Sequence, residues 1–407
     1  MASVQNFLGS VSGLALLALL LVILAVVFFG GRGKAAKRSS LGDTPFRAIT
    51  PDEEAPLDLP IETEDPDLVE RVAVSRHIAD LMLADEWTEV GKEVAAWEDR
   101  LASSQGGARF HDVAADVALS GLQSLIDDAP FISISDLDAA EAEVGHFIDT
   151  YQRNTDCHVL ATLAARAHLT LGDAFRADYW PPELQREAWR RMARHFLEAG
   201  EILKNYDPLA YMSPLLAEAQ YLQALGSPGG AHRLPELFET WIDLDPSNPL
   251  IYERHALQLA DADTYSDEVI LNEAERALER TEETLGAGGY ALFFLPLLEL
   301  RDGARDLLDA DLFASAMLDL ASMEASQAEV NQTANALAAE MRVADGASPA
   351  LNDTLYLLIR WHLSVIYPRL WTMPVDKVQT LVQSAAEAVP DMGGPKNGGD
   401  PLLSKAA

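Results

Sequence analysis

The sequence predicts an all-α protein that has one membrane-spanning helix at its N-terminus. Three observations support this prediction: one long apolar segment near the start, apolar residues at helical spacing through most of the remainder, and no convincing strand pattern. Hydrophobic residues occupy 49% of the 407 positions, which is enough to bury a substantial core. Ala and Leu recur throughout, and both favour helix because they lose little side-chain freedom in it.

Residues 7–29 form the apolar segment and contain no charged side chain. A helix of this length measures roughly 35 Å, which is enough to cross a hydrocarbon core of about 30 Å. A cleaved signal peptide is the alternative, but no basic residue precedes the segment, and its apolar run exceeds the usual one of about 7–15 residues. We therefore expect a permanent single-pass anchor, which includes Phe7, Leu14, Leu20, Ile23 and Phe29.

The charges that flank the span predict its orientation. Residues 1–38 contain no acid, and their cations all follow the apolar segment. The positive-inside rule then leaves residues 1–6 outside and the large domain in the cytoplasm. The positive-inside rule is weaker for long segments, which can be translocated whatever their charge, so a periplasmic domain is the alternative. An Ala-rich chain with far more Arg than Lys is typical of a high-GC bacterium, for which we expect the inner membrane. The topology cations are Arg32, Lys34, Lys37 and Arg38.

Changes in composition divide the rest of the chain. A basic juxtamembrane segment leads into an acidic, Pro-rich linker, which should be extended because proline and like charges oppose compaction. Helical periodicity follows and is interrupted by the Gly/Pro-rich stretch 226–230, which predicts two subdomains. A Gly/Pro-rich tail should be disordered. The expected boundaries are 30–64 for the juxtamembrane segment and linker, 65–226 and 230–389 for the helical subdomains, and 390–407 for the tail.

Apolar residues at helical spacing also predict which helix faces are buried. In one segment, Trp189, Met192, Phe196, Ala199 and Leu203 recur every three or four positions, which places them on one face. Tryptophans on such faces are expected to pack between helices rather than to line a binding groove. The six tryptophans expected there are Trp87, Trp97, Trp189, Trp241, Trp361 and Trp371.

Residues 234–259 contain two apolar helical patterns on either side of a Leu-Asp-Pro turn. Pro246 cannot continue a helix, so the two patterns predict a helical hairpin. This segment resembles the second helix of a tetratricopeptide repeat followed by the first helix of the next. The resemblance implies a degenerate array of stacked antiparallel hairpins. The matching positions are Leu234, Phe238, Trp241, Pro246, Tyr252, Ala256 and Leu259.

Charge and cysteine content restrict the partners. The formal net charge is −34 at pH 7, and such a surface repels phosphate backbones, so we expect no nucleic-acid binding. Protein partners are expected, and a basic protein would suit the acidic surface. The single cysteine, Cys157, excludes an intrachain disulfide.

Motifs for catalysis, cofactors and metals are missing from the sequence. It has no P-loop, no G-x-G-x-x-G, no H-E-x-x-H, no C-x-x-C and no G-x-S-x-G, so we expect no catalytic, cofactor-binding or metal-binding residue. The densest group of candidates could bind Zn²⁺ or form a Cys–His pair. Neighbours on a helix point about 100° apart, however, which favours a buried cysteine and surface or capping histidines. These candidates are His146, Cys157, His158 and His168.

Together these features predict a non-enzymatic, membrane-anchored scaffold that binds partner proteins. A role in assembling or organising a membrane or envelope complex is what the repeat resemblance implies. One alternative is an all-helical enzyme that uses the four candidate residues, which requires two of them to meet in a pocket with a carboxylate. The other is a structural subunit of one permanent membrane complex, which predicts a large exposed apolar patch.

Overall fold

The computed structural model describes residues 58–176, 179–260, 264–322, 325–343 and 349–388. These ranges are helical, with two isolated β-bridges and no strand, which confirms the predicted all-α class. The first eight α-helices are α1 (Pro66–Leu83), α2 (Trp87–Glu98), α3 (Phe110–Asp127), α4 (Asp138–Gln152), α5 (His158–Ala174), α6 (Gln185–Leu203), α7 (Pro208–Tyr211) and α8 (Pro214–Leu225).

The second half continues in the same way, with long helices and short turns. Its helices are α9 (Leu234–Leu244), α10 (Pro249–Leu259), α11 (Asp267–Leu285), α12 (Gly288–Leu300), α13 (Ala304–Leu307), α14 (Ala310–Ser322), α15 (Gln327–Val343), α16 (Pro349–Trp361) and α17 (Val375–Ala388). Three single 3₁₀ turns, at Ile134–Leu137, Gly230–Arg233 and Pro368–Leu370, connect some of them.

Several helices begin with the same local device, a polar cap followed by proline. The side chains of Asp65, Ser213 and Asn248 each accept a hydrogen bond from a backbone N–H in the first turn of the next helix. Proline at the first helical position suits this place, because its missing N–H would have no helical partner there. At Ser213-Pro214 this device starts α8.

Helices pack against their chain neighbours and against helices two places further on. In the first half, α5 contacts α3, α4, α6 and α8; in the second half, α12 contacts α10, α11 and α14, and α14 contacts α16. This pattern is compatible with a helical repeat. The two largest apolar cores meet within α8, because Leu215 belongs to one and Ala217 to the other. The subdomain boundary at 226–230 stays a prediction.

The predicted hairpin at 234–259 consists of α9, a turn that contains Pro246, and α10. The six apolar side chains that carry the resemblance are buried. Phe238 and Tyr252 meet edge to face, with ring centroids 5.8 Å apart, and the Tyr252 hydroxyl donates to the Pro246 carbonyl over 2.7 Å. These contacts join the two helices across the turn.

The array also closes on itself. Near the N-terminal edge of the described chain, Ile61 forms a parallel bridge with Ile366, with backbone hydrogen bonds of 2.9 and 3.0 Å. In the loop before α3, the carbonyl of Gly106 accepts a hydrogen bond of 3.4 Å from Gln332 of α15. The last residues of the predicted linker, 58–64, therefore include backbone that belongs to the folded domain.

A buried ion pair ties the first half of the array to the second. Arg109 lies just before α3, and its guanidinium makes a two-pronged contact with the carboxylate of Asp245, in the turn between α9 and α10. Arg109 also donates to the Leu101 carbonyl over 2.8 Å and to the Ser247 hydroxyl over 3.0 Å. Both charged side chains are fully buried, so each depends on the other for its solvation.

One predicted burial is wrong. Trp189 is 59% exposed on α6, whereas Trp87, Trp241 and Trp371 are buried as expected. The buried face of α6 begins one residue earlier, at Ala188. Ala188 is fully buried, and because adjacent residues on a helix point about 100° apart, Trp189 turns towards solvent.

None of the described helices is both long enough and apolar enough to span a bilayer. The predicted anchor at 7–29, the topology cations at 32–38 and the tail at 390–407 lie outside the described residues. These three assignments stay predictions.

We expect Arg109→Ala to lower the free energy of unfolding by about 3–5 kcal/mol, because it leaves the Asp245 carboxylate buried without a cation. The matched control is Arg280→Ala, which removes an arginine that pairs with Glu239 and Asp243 at the surface. That change should cost about 0–1 kcal/mol. Urea denaturation measures both, and equal losses would contradict the importance of the buried pair.

Candidate functional site

An open cleft of about 450 Å³ lies between α4 and α6, and α5 also contributes to its lining. Its chemistry comes from Glu141 of α4, His168 of α5, and His195 and Glu198 of α6. Helix α5 is rich in buried alanine, which lets α4 and α6 approach it from two sides. The cleft is therefore a consequence of two helices packing on the same third helix.

The two histidines meet in the wall of this cleft. His168 Nδ1 lies 2.9 Å from His195 Nδ1. As whole residues, His168 is 6% exposed and His195 is 3% exposed. A Glu198 carboxylate oxygen lies 3.4 Å from His168 Nδ1. The Phe175 ring stacks on His195 with centroids 5.8 Å apart, which helps to fix its orientation.

The surrounding charges determine the proton positions. Arg194 lies 3.1 Å from His195 Nε2 and can only donate, so this nitrogen is the acceptor. The proton of neutral His195 is then on Nδ1, where it is donated to His168. On the other side of the cleft, Glu141 accepts from Arg191 and Arg194. Burial opposes ionisation of Glu141, but Arg191 and Arg194 outweigh it and lower the pKa of this carboxyl.

Both imidazoles are held in the neutral form. Burial, assisted by the charge of Arg194, lowers the pKa of His168 to about 4. Burial, followed by His168 and Arg194, likewise lowers the pKa of His195 to about 4. Neutral imidazole nitrogens and a carboxylate are suitable metal donors, and the available donor atoms of His168, His195 and Glu198 all lie within 4.8 Å of one another.

The four candidate residues from the sequence do not come together in this cleft, where only His168 is found. His146 is exposed on α4 and lies edge to face against Trp87, with ring centroids 5.8 Å apart. Cys157 precedes α5, and burial raises the pKa of its thiol, so it is not an activated nucleophile. The cleft therefore does not bring together two of the four candidates, which is what the enzyme alternative requires.

His158 takes part in a separate polar cluster. Its Nε2 lies 3.3 Å from one oxygen of buried Glu98, whose other oxygen accepts hydrogen bonds from the Ser213 hydroxyl and the Leu215 backbone N–H. A nucleophilic triad needs the histidine between the serine and the acid. Here the glutamate is in the middle, and Ser213 also caps α8, so the cluster is a structural junction.

A chain of charges, buried except for the partly exposed Arg254, joins neighbouring helices. Glu218 of α8 lies 2.9 Å from Arg166 of α5 and 2.9 Å from Arg254 of α10. In α3, burial, followed by the charge of Glu218, raises the pKa of Asp112 to about 7. These groups neutralise one another inside the array, and we assign them to its assembly.

Sequence reasoning missed His195, Glu198 and Glu141. The local signal was His195-x-x-Glu198, a spacing that places both side chains on one side of a helix. Their association with His168 depends on how α5 and α6 pack against each other. A short stretch of sequence does not indicate such packing.

A second feature lies on the solvent side of α6. Trp189 and Leu197 are 59% and 65% exposed and lie eight residues apart, so with half-buried Ala193 between them they form one apolar stripe. Arg186 and Arg190 are exposed beside this stripe. In the described chain, the segment 189–212 has the densest run of exposed large apolar side chains, because Leu209, Tyr211 and Met212 follow.

The described chain thus has an all-α fold compatible with a helical repeat, a polar cleft and an exposed apolar stripe. No known protein family, no curated protein and no solved structure matches the chain. The tetratricopeptide-like interpretation of 234–259 stays a prediction.

The histidine pair should make the fold sensitive to mild acid. Each folded-state pKa of about 4 is below the ordinary value of 6.5, so between these pH values the unfolded chain binds protons that the folded protein does not. The free energy of unfolding therefore decreases as the pH falls through this window. The decrease is on the order of 2 kcal/mol for whichever histidine is protonated first.

Urea denaturation between pH 7 and 4.5 measures this effect. His168→Gln combined with His195→Gln should flatten the pH dependence, whereas His232→Gln, which changes an exposed histidine, should keep the wild-type slope. A double variant with the wild-type slope would show that other groups cause the acid sensitivity.

Proposed function

We propose that this protein is a membrane-anchored helical-repeat scaffold that binds partner proteins. The observation that carries the proposal is the apolar stripe of α6, on which Trp189 and Leu197 are exposed. Exposed apolar clusters with a polar rim mark protein-binding surfaces, and tryptophan is among the residues that contribute most to such interfaces. Stacked helices provide the rigid support that such a surface needs.

The chemistry around the stripe indicates the kind of partner. Helix α6 carries four arginines against three glutamates, although the whole chain has a net charge of −34. Arg186 and Arg190 flank the stripe, so the contact favours a partner segment with apolar side chains beside carboxylates. Net charge alone suggested a basic partner, and the local arginines change that expectation for this contact.

The anchor at 7–29 would confine the scaffold to a membrane, which we take to be a bacterial inner membrane. The cations that follow it favour a cytoplasmic domain. Confinement raises the local concentration of partners in the same membrane, so a modest contact on α6 is sufficient for assembly. A role in organising a membrane or envelope complex follows from these two features together.

The two alternatives make different use of the same surface. A structural subunit of one permanent complex would bury a larger apolar patch than the α6 stripe offers. An enzyme at His146, Cys157, His158 and His168 has no geometric support, because these side chains occupy separate environments. We therefore propose a non-enzymatic scaffold.

The stripe is tested by a pull-down of the full chain from native membranes in mild detergent. Trp189→Ala combined with Leu197→Ser should weaken partner binding by about 30-fold or more, since loss of one central interface residue commonly costs about 2 kcal/mol. The matched control is Leu257→Ser, which changes a 58% exposed leucine on α10. These surface changes should leave the fold intact. Equal recovery of partner by both variants would overturn the stripe as the contact.

The anchor is tested by removing residues 1–38. The shortened chain should move from the membrane pellet to the supernatant after an alkaline carbonate wash, because the only long apolar segment is gone. In sealed vesicles of known orientation, protease should digest the domain of the full chain only from the cytoplasmic side. Retention of the shortened chain would contradict the anchor, and digestion from the opposite side alone would contradict the orientation.

A further inference from the structure

We infer that His168, His195 and Glu198 form a binding site for a divalent transition-metal ion, with Zn²⁺ as the best match. The three residues belong to two helices, α5 and α6, and face the cleft. Imidazole nitrogen and carboxylate oxygen are the donors that Zn²⁺ and its neighbours in the first transition series accept.

The distances between the donor atoms fit an ion. Atoms bound to tetrahedral zinc at about 2.0–2.1 Å lie about 3.3 Å from one another. The two histidine Nδ1 atoms are 2.9 Å apart, and the Glu198 oxygen is 3.4 Å from His168 Nδ1. The third separation, between the donor atoms of His195 and Glu198, is within 4.8 Å, so side-chain rotation is needed to bring all three donors around one ion. The open side of the cleft leaves a fourth position for water.

The charge of the cleft also favours a cation. Its lining includes four carboxylates, those of Glu141, Asp149, Glu198 and Glu201, against one guanidinium, that of Arg194. Arg191 adds a second positive charge through its contact with Glu141. Both histidines are neutral, so the sum is four negative charges against two positive ones, which a divalent ion balances.

Glu141 has the position of a supporting group. Binding through His195 Nδ1 requires the ring proton to move to Nε2, and a Glu141 oxygen lies 3.8 Å from that nitrogen. A carboxylate behind a metal-bound histidine fixes its tautomer and orientation. Arg194, which is about half exposed, must then release its contact with Nε2 and keep its contact with Glu141.

The alternative is a histidine–histidine hydrogen bond without an ion. It explains the separation of 2.9 Å between the nitrogens, and it leaves Glu198 as an ion-pair partner of Arg194, 4.0 Å away on the same helix. The two possibilities differ in one measurable property, which is stoichiometric binding of a metal that depends on Glu198.

The test uses the full chain, purified in detergent and treated with a chelator, and Co²⁺ as the probe. We expect one equivalent of Co²⁺ to bind with the strong visible absorption of a four-coordinate site, and Zn²⁺ to displace it. Glu198→Gln should weaken binding by about tenfold or more, as losses around metal sites commonly do. Glu283→Gln, which changes an exposed glutamate on α11 that does not line the cleft, is the matched control and should bind like the wild type.

His168→Gln should abolish the absorption. If that variant does not fold, Glu198→Gln still tests the site, because the Glu198 side chain is 46% exposed and its loss should not affect the fold. Absence of a saturable one-to-one complex, or equal affinity of the wild type and Glu198→Gln, would overturn the site. Neither result bears on the partner contact at Trp189 and Leu197, which is measured separately.

Discussion

The buried pair between Arg109 and Asp245 joins the two halves of this protein. Arrays of helical hairpins normally contact only their neighbours, so their ends are free to separate. Here a guanidinium from the loop before α3 reaches a carboxylate 136 residues away in the chain, and both carboxylate oxygens are used. A charged pair without solvent requires good geometry to offset its desolvation. The two halves of the array are therefore held in one relative position.

The same principle applies along the interior of the array. Arg166, Glu218 and Arg254 belong to α5, α8 and α10, and buried Glu218 is shared between buried Arg166 and partly exposed Arg254. If a helix shifted along its axis, one of these charges would lose its ion-pair partner and remain in an apolar environment, which is costly. Apolar packing alone permits such sliding more readily, since it is not directional. The buried charges thus fix the register of helices whose cores are mostly alanine and leucine.

Periodicity and turn chemistry were sufficient to predict the helical class and the hairpin around Pro246, because each depends on residues close in sequence. The exposure of Trp189 could not be predicted in the same way. Helical spacing alone does not distinguish two adjacent residues at the edge of a buried face, and in α6 the buried one is Ala188. The His168–His195 pair and the Arg109–Asp245 pair were also missed, because each joins elements whose approach is determined by tertiary structure.

Helix α6 contributes to both proposed sites, the metal site and the partner-binding stripe. Its inner side carries His195 and Glu198 towards α5, and its outer side presents Trp189 and Leu197 to solvent. An ion bound between α5 and α6 would restrain α6, and a partner on the outer stripe would restrain the same helix from the other side. Coupling between two binding sites is reciprocal. The factor by which a bound ion changes the affinity for the partner equals the factor by which a bound partner changes the affinity for the ion. A scaffold built in this way would join partner binding to metal binding through the orientation of a single helix.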